Sequence, residues 1–221
     1  MSESSFPVAL ALDRIAPVVA AYPKPAMFQL ADEGFRSVFE QLIACMISIR
    51  TKEEVTLRTA RALFVAAPTP AAVAALPIDR LDEILRQSTF SERKARQIHD
   101  IAAATTERPD GALPCDGAAL QAFNGVGPKC ANLTLGIACG VPAVSVDVHV
   151  DRVVHRWGAV ATSTPEQTAV ALERITPRDR WIDINRLLMP FGRYVCTAAL
   201  PRCSTCPVND LCPRIGVTRH R

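Results

Sequence analysis

Strand-building runs of Val, Ile and Thr are rare in this chain, and aromatic residues make up only 5 % of it. Both shortages argue against a sheet-based fold, and abundant alanine argues for helices. No apolar stretch approaches the about 20 residues that a membrane helix needs, so a membrane partner is not expected. After Met1 the chain reads Ser-Glu-Ser-Ser, without the basic opening of a secretory signal. Repeats, low-complexity segments and long linkers are absent as well. A soluble, intracellular, all-α protein with short loops is the expectation, and 221 residues suffice for a sizeable core in one or two domains.

Strong charge is missing too. The formal net charge is +3, far from the excess of a highly basic nucleic-acid binder. Distribution says more than the sum. From Arg193 onward the chain carries five arginines (Arg193, Arg202, Arg214, Arg219, Arg221) and one acid, Asp210. Such an end suits phosphates, although a merely solvated tail has the same composition.

What is present reads as a string of helices. Residues 7–21 form one, stopped by Pro23 and Pro25. Residues 34–48 place Phe35, Val38, Phe39, Leu42, Ile43 and Met46 at helical spacing with a wide apolar face. Thr51 with Glu54 has the pattern of a capping box that opens the next helix, to about Ala66. Thr69-Pro70 opens a short helix, Asp79 to Arg86 forms another, and Ser91 caps residues 92–105. Further helices are expected at 117–123, from Pro128 to about Cys139 before Gly140, at 148–157 behind Asp147 and before Gly158, and from Thr164-Pro165 with Gln167. A last long one covers about 179–196, with Pro190 kinking or splitting it.

Eight cysteines in an intracellular chain suggest metal ligands and core thiols rather than disulfides. Cys196, Cys203, Cys206 and Cys212 are spaced C-x6-C-x2-C-x5-C in a short, proline-containing segment too poor in apolar residues to organise itself. Four thiolates suit zinc or an iron–sulfur cluster. Zinc sites usually pair two close dyads, whereas one dyad flanked by two single cysteines favours a 4Fe-4S cluster. Cys45, Cys115, Cys130 and Cys139 are scattered, three of them in expected helices, and read as core thiols.

Gly125-Val126-Gly127 joins two expected helices. Glycines there permit positive φ and close backbone approach, and the N–H groups at the next helix start suit an anion such as a DNA phosphate; many Gly-x-Gly turns only connect helices. Lys129 stands in the first turn of that helix, where the macrodipole disfavours a cation and should lower the amine's pKa toward a nucleophilic neutral form. An ordinary surface lysine is the alternative. Asp147 begins a helix. As N-cap it is held ionised, able to take a proton or steady a positive charge, and capping alone would also explain it.

These pieces together resemble a known family. Phe123-Asn124-Gly125-Val126-Gly127-Pro128-Lys129-Cys130-Ala131 looks like the segment L-P-G-V-G-R-K-T-A of the endonuclease III family. Ser145 to Val153 resembles its V-D-T-H-x-x-R-V, Ser48-Ile49-Arg50-Thr51-Lys52 its S-x-Q-T-x, and the four-cysteine loop has the family spacing throughout. The similarity runs from about residue 30 to 212. It implies a DNA glycosylase with lyase activity acting in base excision repair, a monomer working on double-stranded DNA that carries a damaged base or abasic site, and hence a cytoplasmic, nucleoid-associated protein. It implies two helical domains flanking a DNA-binding cleft: a six-helix barrel domain with the helix-hairpin-helix at about 32–141, and a discontinuous cluster domain of 1–31 and 142–221. A damaged, oxidised pyrimidine would be flipped out of the duplex. Lys129 would displace the base by attack on the sugar C1′ and cut the strand by β-elimination through a Schiff base, with Asp147 activating it or stabilising the sugar cation. Gly125, Val126 and Gly127 would hold a phosphate, and His149 and Arg193 would lie near DNA.

The chain also departs from the pattern. Arg50 replaces a glutamine that fills the gap left by the flipped base, and Phe90 falls near a second inserting position, usually leucine; it would wedge between base steps or simply fill the core. Pro128 replaces a basic residue and Asn124 a proline, which should weaken DNA affinity while sparing the fold. Asp151 stands where relatives are often basic or apolar, with no rationale from sequence. A monofunctional mismatch glycosylase, a damage-binding paralogue without catalysis and a zinc-stabilised helical module are the competing readings. Adenine-specific relatives generally lack the lysine and carry an extra C-terminal domain, so Lys129 and the early end of the chain favour the bifunctional enzyme.

Overall fold

The computed structural model describes residues 6–221, and among them twelve α-helices and no strand occur. The segment Met1–Ser5, on which the expectation about a secretory signal rested, lies outside the described residues. The chain divides into two compact units, one of Ala26–Val141 and one of the chain up to Pro25 together with Pro142–Arg221.

The Ala26–Val141 unit contains α2 (Ala26–Asp32), α3 (Val38–Ser48), α4 (Glu53–Ala66), α5 (Pro70–Ala74), α6 (Ile78–Leu85), α7 (Ser91–Thr106), α8 (Gly117–Gln121) and α9 (Pro128–Cys139). α3 is its axis. Phe39 and every residue from Gln41 to Ile47 are buried, and α2, α4, α7 and α9 pack around it. A helix apolar on nearly all sides can only be a core helix. Its start is fixed by a capping box, in which Ser37 accepts from the Glu40 N–H and the Glu40 carboxylate accepts from the Ser37 N–H. Sequence periodicity passed over α2. Its buried Ala26, Met27 and Leu30 join this core, so the chain enters the unit at Ala26, ahead of the residue 32 that the resemblance suggested.

The second unit contains α1 (Val8–Val19), α10 (Val148–Arg156), α11 (Pro165–Ile175), a 3-10 turn at Arg178–Arg180, α12 (Trp181–Tyr194) and the cysteine loop with a 3-10 turn at Cys203–Thr205. α12 packs on α1 and α10. Trp157 anchors the core, stacked on Phe6 with ring centres 4.9 Å apart and 6.1 Å from Phe191.

Several local expectations need correction. Thr51 does not cap α4. Lys52 is the N-cap residue, and the Thr51 hydroxyl instead accepts from the Thr89 N–H and from Lys94. Ser91 is the first residue of α7 and not its cap, because Phe90 occupies the cap position in a left-handed conformation. Pro190 lies inside α12 without ending it. Cys115 and Cys139, expected as core thiols, form a disulfide with Cα atoms 6.0 Å apart. The tertiary fold brings the segment before α8 to the end of α9, a proximity that sequence spacing does not reveal. Cys45 and Cys130 are buried free thiols, as expected.

Candidate active site and nucleic-acid interface

In the Ala26–Val141 unit the hairpin between α8 and α9 has the features its glycines required. Gly125 takes φ +89°, and a Cβ there would lie 2.4 Å from Nε2 of Gln97 on α7. Gly127 leads into α9 with Pro128 in the first turn. Val126 is buried and anchors the turn, while Gly125 and Gly127 are exposed. Gln97, unremarked in the sequence, is buried beside the hairpin, and its Nε2 has no hydrogen-bond partner among the described residues. With Asn124 it lines an open hollow whose other walls are Glu92, Arg93, Arg96 and Asp100 of α7.

Lys129 is half-buried in the first turn of α9, and its Nζ donates to Cys45 Sγ of α3 across 3.5 Å. Cys45 is fully buried. Its thiol is lowered to about 6, chiefly by a hydrogen bond from Cys130, with the charge and hydrogen bond of Lys129 and a hydrogen bond from Ser48 adding to it, against the opposing effect of burial. The Cys130 thiol is pushed well up by that same hydrogen bond and by burial. The pair therefore holds its first negative charge on Cys45.

Arg50 and Phe90 sit together on the same unit. Both take positive φ, and the Arg50 guanidinium lies 5.9 Å from the Phe90 ring centre. Phe90 is 56 % exposed, which rules out the core alternative. The loops that carry them are laced together: Thr89 Oγ1 donates to Arg50 O at 2.8 Å, and Lys94 Nζ donates to Ile47 O, Ile49 O and Thr51 Oγ1. Burial lowers Lys94 to about 8, which leaves it protonated at neutral pH, as its three oxygen acceptors require.

In the second unit Asp147 caps α10, its Oδ1 accepting from the N–H groups of His149 (2.8 Å) and Val150 (2.9 Å). Its other oxygen faces Asn185 Nδ2 at 3.5 Å, and the buried Asn185, which no sequence pattern marked, also reaches Ser145 O. His149 packs against α12 where Gly192 leaves room: a Cβ on Gly192 would come within 2.8 Å of the His149 Cβ. Burial lowers His149, Arg152 and Arg193 lower it further, and Asp147 opposes them. Arg193 lies over the Tyr194 ring at 5.3 Å. Asp151, without rationale in the sequence, accepts from Thr168 Oγ1 at 2.8 Å and so ties α10 to α11; its role is structural.

Cys196, Cys203, Cys206 and Cys212 are free thiols lining one hollow backed by Trp157 and Phe191. α10 holds the loop in place: Arg156 donates to Cys196 Sγ, Thr197 O and Ala198 O, and Arg152 to Gly192 O and Cys196 O. Burial raises Cys206 to about 11 and raises Cys203 and Cys212, with the Cys196 charge adding to each. Thiolates at Cys203, Cys206 and Cys212 are therefore disfavoured unless a cationic centre stabilises them. Four free cysteine thiols around one hollow are a donor set that suits an iron–sulfur cluster.

Residues 43–178 match the family described as HhH-GPD superfamily base excision DNA repair protein. The chain is 35 % identical over 193 residues to endonuclease III of Treponema pallidum, covering 87 % of this chain and 90 % of that protein. A non-covalent endonuclease III–DNA complex superposes with TM-score 0.84 and 29 % identity, covering 97 % of this chain and 96 % of that one. A trapped covalent intermediate of endonuclease III with DNA gives TM-score 0.81 and 28 % identity, covering 97 % of both chains.

Proposed function

The chain belongs to the HhH-GPD superfamily of base excision DNA repair proteins and, within it, to the endonuclease III family, and on that premise we propose that it is a DNA glycosylase for oxidised pyrimidines with an associated abasic-site lyase activity. The observation that carries this reading is Lys129 itself: a half-buried amine in the first turn of α9, directly behind a glycine hairpin. A lyase needs an amine there to form its Schiff base.

In this reading the hairpin amides of Gly125, Val126 and Gly127 bind a backbone phosphate of double-stranded DNA. Arg50 and Phe90 enter the duplex, the ring wedging between base steps and the guanidinium offering donors to the base opposite the everted nucleotide. Lys129 Nζ attacks C1′ of the everted nucleotide, forming an N–C bond as the base leaves with its electron pair; the ring-opened Schiff base then loses a C2′ proton and the 3′ phosphate. Asp147 stabilises the positive charge on the sugar. His149 and Arg193 lie beside it on α10 and α12 and meet the backbone. Cys196, Cys203, Cys206 and Cys212 hold a 4Fe-4S cluster, which when bound supplies a rigid crosslink of the loop and no step of the reaction. The loop's own residues, Arg202 and Arg214, then face phosphates.

Borohydride trapping on duplex DNA with an abasic site or an oxidised pyrimidine tests this reading. A covalent adduct that vanishes in Lys129→Ala and weakens strongly in Asp147→Asn supports it. DNA binding with no adduct at all refutes the lyase and leaves a damage-binding paralogue.

A further inference from the structure

α3 and α9 pack against each other in the core of the Ala26–Val141 unit, and at their contact three side chains meet: Lys129 and Cys130 from α9 and Cys45 from α3. Of the three, only the lysine has a part in the proposed reaction. A nucleophilic lysine must first lose a proton, and that proton must go to a group within reach. Cys45 is in reach, with its sulfur 3.5 Å from Nζ. It is wholly inside the protein. Cys130 stands where the family segment quoted above has threonine, and its thiol donates to Cys45.

We propose that Cys45 is the proton acceptor of Lys129: its sulfur takes one ammonium proton as bound DNA shuts water out, and so frees the amine lone pair for attack. The proposal rests on Lys129 being the nucleophile. In the transfer one N–H bond breaks and one S–H bond forms. The N–H electron pair stays on nitrogen, and the positive and negative charges disappear together, so no outside reactant is needed.

The surroundings keep the acceptor unprotonated until DNA binds, and desolvation then drives the transfer. The groups facing the sulfur are the Lys129 ammonium, the Cys130 thiol and the Ser48 hydroxyl. Lys94 of α7 acts on Cys130, and its ammonium is engaged by Ile47 O, Ile49 O and Thr51 Oγ1. Hydrogen bonds from Cys130 first, and then the charge of Lys129, hold Cys45 at about 6, so at neutral pH it is already a thiolate and can accept. An ion pair is stable while water reaches its exposed side. Once the site is covered, two desolvated charges cost more than a neutral amine and thiol, and the proton moves to sulfur.

The test is the pH dependence of single-turnover borohydride trapping on abasic-site duplex DNA, across roughly pH 5 to 10. In the wild type the rate rises through a single step near pH 6, where the Cys45 thiol ionises, and then stays level. Cys45→Val keeps the site apolar and removes the acceptor; Cys45→Ser keeps a hydrogen-bonding partner but not an acidic one. Both should shift the step upward by more than a unit and lower the neutral-pH rate at least about tenfold, with the rate recovering in alkali and DNA affinity unchanged. Profiles that superpose on the wild type would overturn the proposal. If the wild type forms no adduct, the lyase reading fails separately, and the pair is judged by the ultraviolet thiolate titration of Cys45, read as the difference from Cys45→Val. Lys129→Met should raise that titration; an unmoved midpoint would show that the two groups share no proton.

Discussion

The guanidinium carbon of Arg50 lies 5.9 Å from the centre of the Phe90 ring, and both residues hold left-handed backbone conformations, at φ 53° and 61°. A bulky side chain at positive φ costs about 1–3 kcal/mol and persists only where its surroundings enforce it. Thr51, Thr89 and Lys94 do so here, through hydrogen bonds between the two loops. Strain stored under two exposed side chains is what an inserting pair requires, since it presents them already oriented.

Phe90→Gly should therefore raise stability and lower activity together. Relief at φ 61° is worth about 1 kcal/mol and removes no core contact, because the ring is exposed. Thermal unfolding should move up while incision of damaged duplex falls. A variant that loses stability would show that the ring is a packing element.

Gly125→Ala should weaken DNA binding. The new Cβ would sit at φ +89° and 2.4 Å from the Gln97 amide. The amide can move, but the backbone strain remains, at about 1–2 kcal/mol. Titration of duplex DNA at several salt concentrations should show lower affinity with a nearly unchanged salt slope, because a neutral amide contact releases no counterion. Unchanged binding would remove the hairpin from the interface.

Acidification should destabilise the second unit through His149. Burial first, with Arg152 and Arg193, places its folded pKa below the ordinary 6.5. As pH falls below that value the unfolded chain takes the proton first, so stability drops until the folded pKa is passed and is unaffected at higher pH. Urea unfolding at about pH 7 and pH 5 should show a larger loss in the wild type than in His149→Gln. Equal losses would contradict the burial argument.

Cys115→Ser should cost about 3 kcal/mol under oxidising conditions, from a bridge with a sequence separation of 24, and almost nothing after reduction of both proteins. Melting with and without a reducing agent distinguishes the two. Identical melts would show that the bridge does not constrain the unfolded chain.

Most of what a single helix decides was legible in the sequence. Thr69, Thr164 and Asp147 cap the helices they precede, and Gly140 ends α9 at φ +64°. Failures came where a distant segment supplies the partner. Thr51 has the residues of a capping box, yet its hydroxyl is taken by Thr89 and Lys94, and nothing local announces them. Asp151 made sense only once Thr168 was beside it. Cys45, Gln97 and Asn185 surround residues the motifs did mark, but each arrives from another helix, and spacing along one chain segment carries no trace of such a meeting. The motif residues themselves were visible because hairpin, N-cap and cysteine loop are each local devices.

The Cys115–Cys139 bridge closes a covalent ring around α8, the glycine turn and nearly all of α9. A protease that severs any peptide bond inside that ring leaves both pieces fastened to each other, so a nick at the hairpin would open the loop without releasing Lys129 from the rest of the molecule.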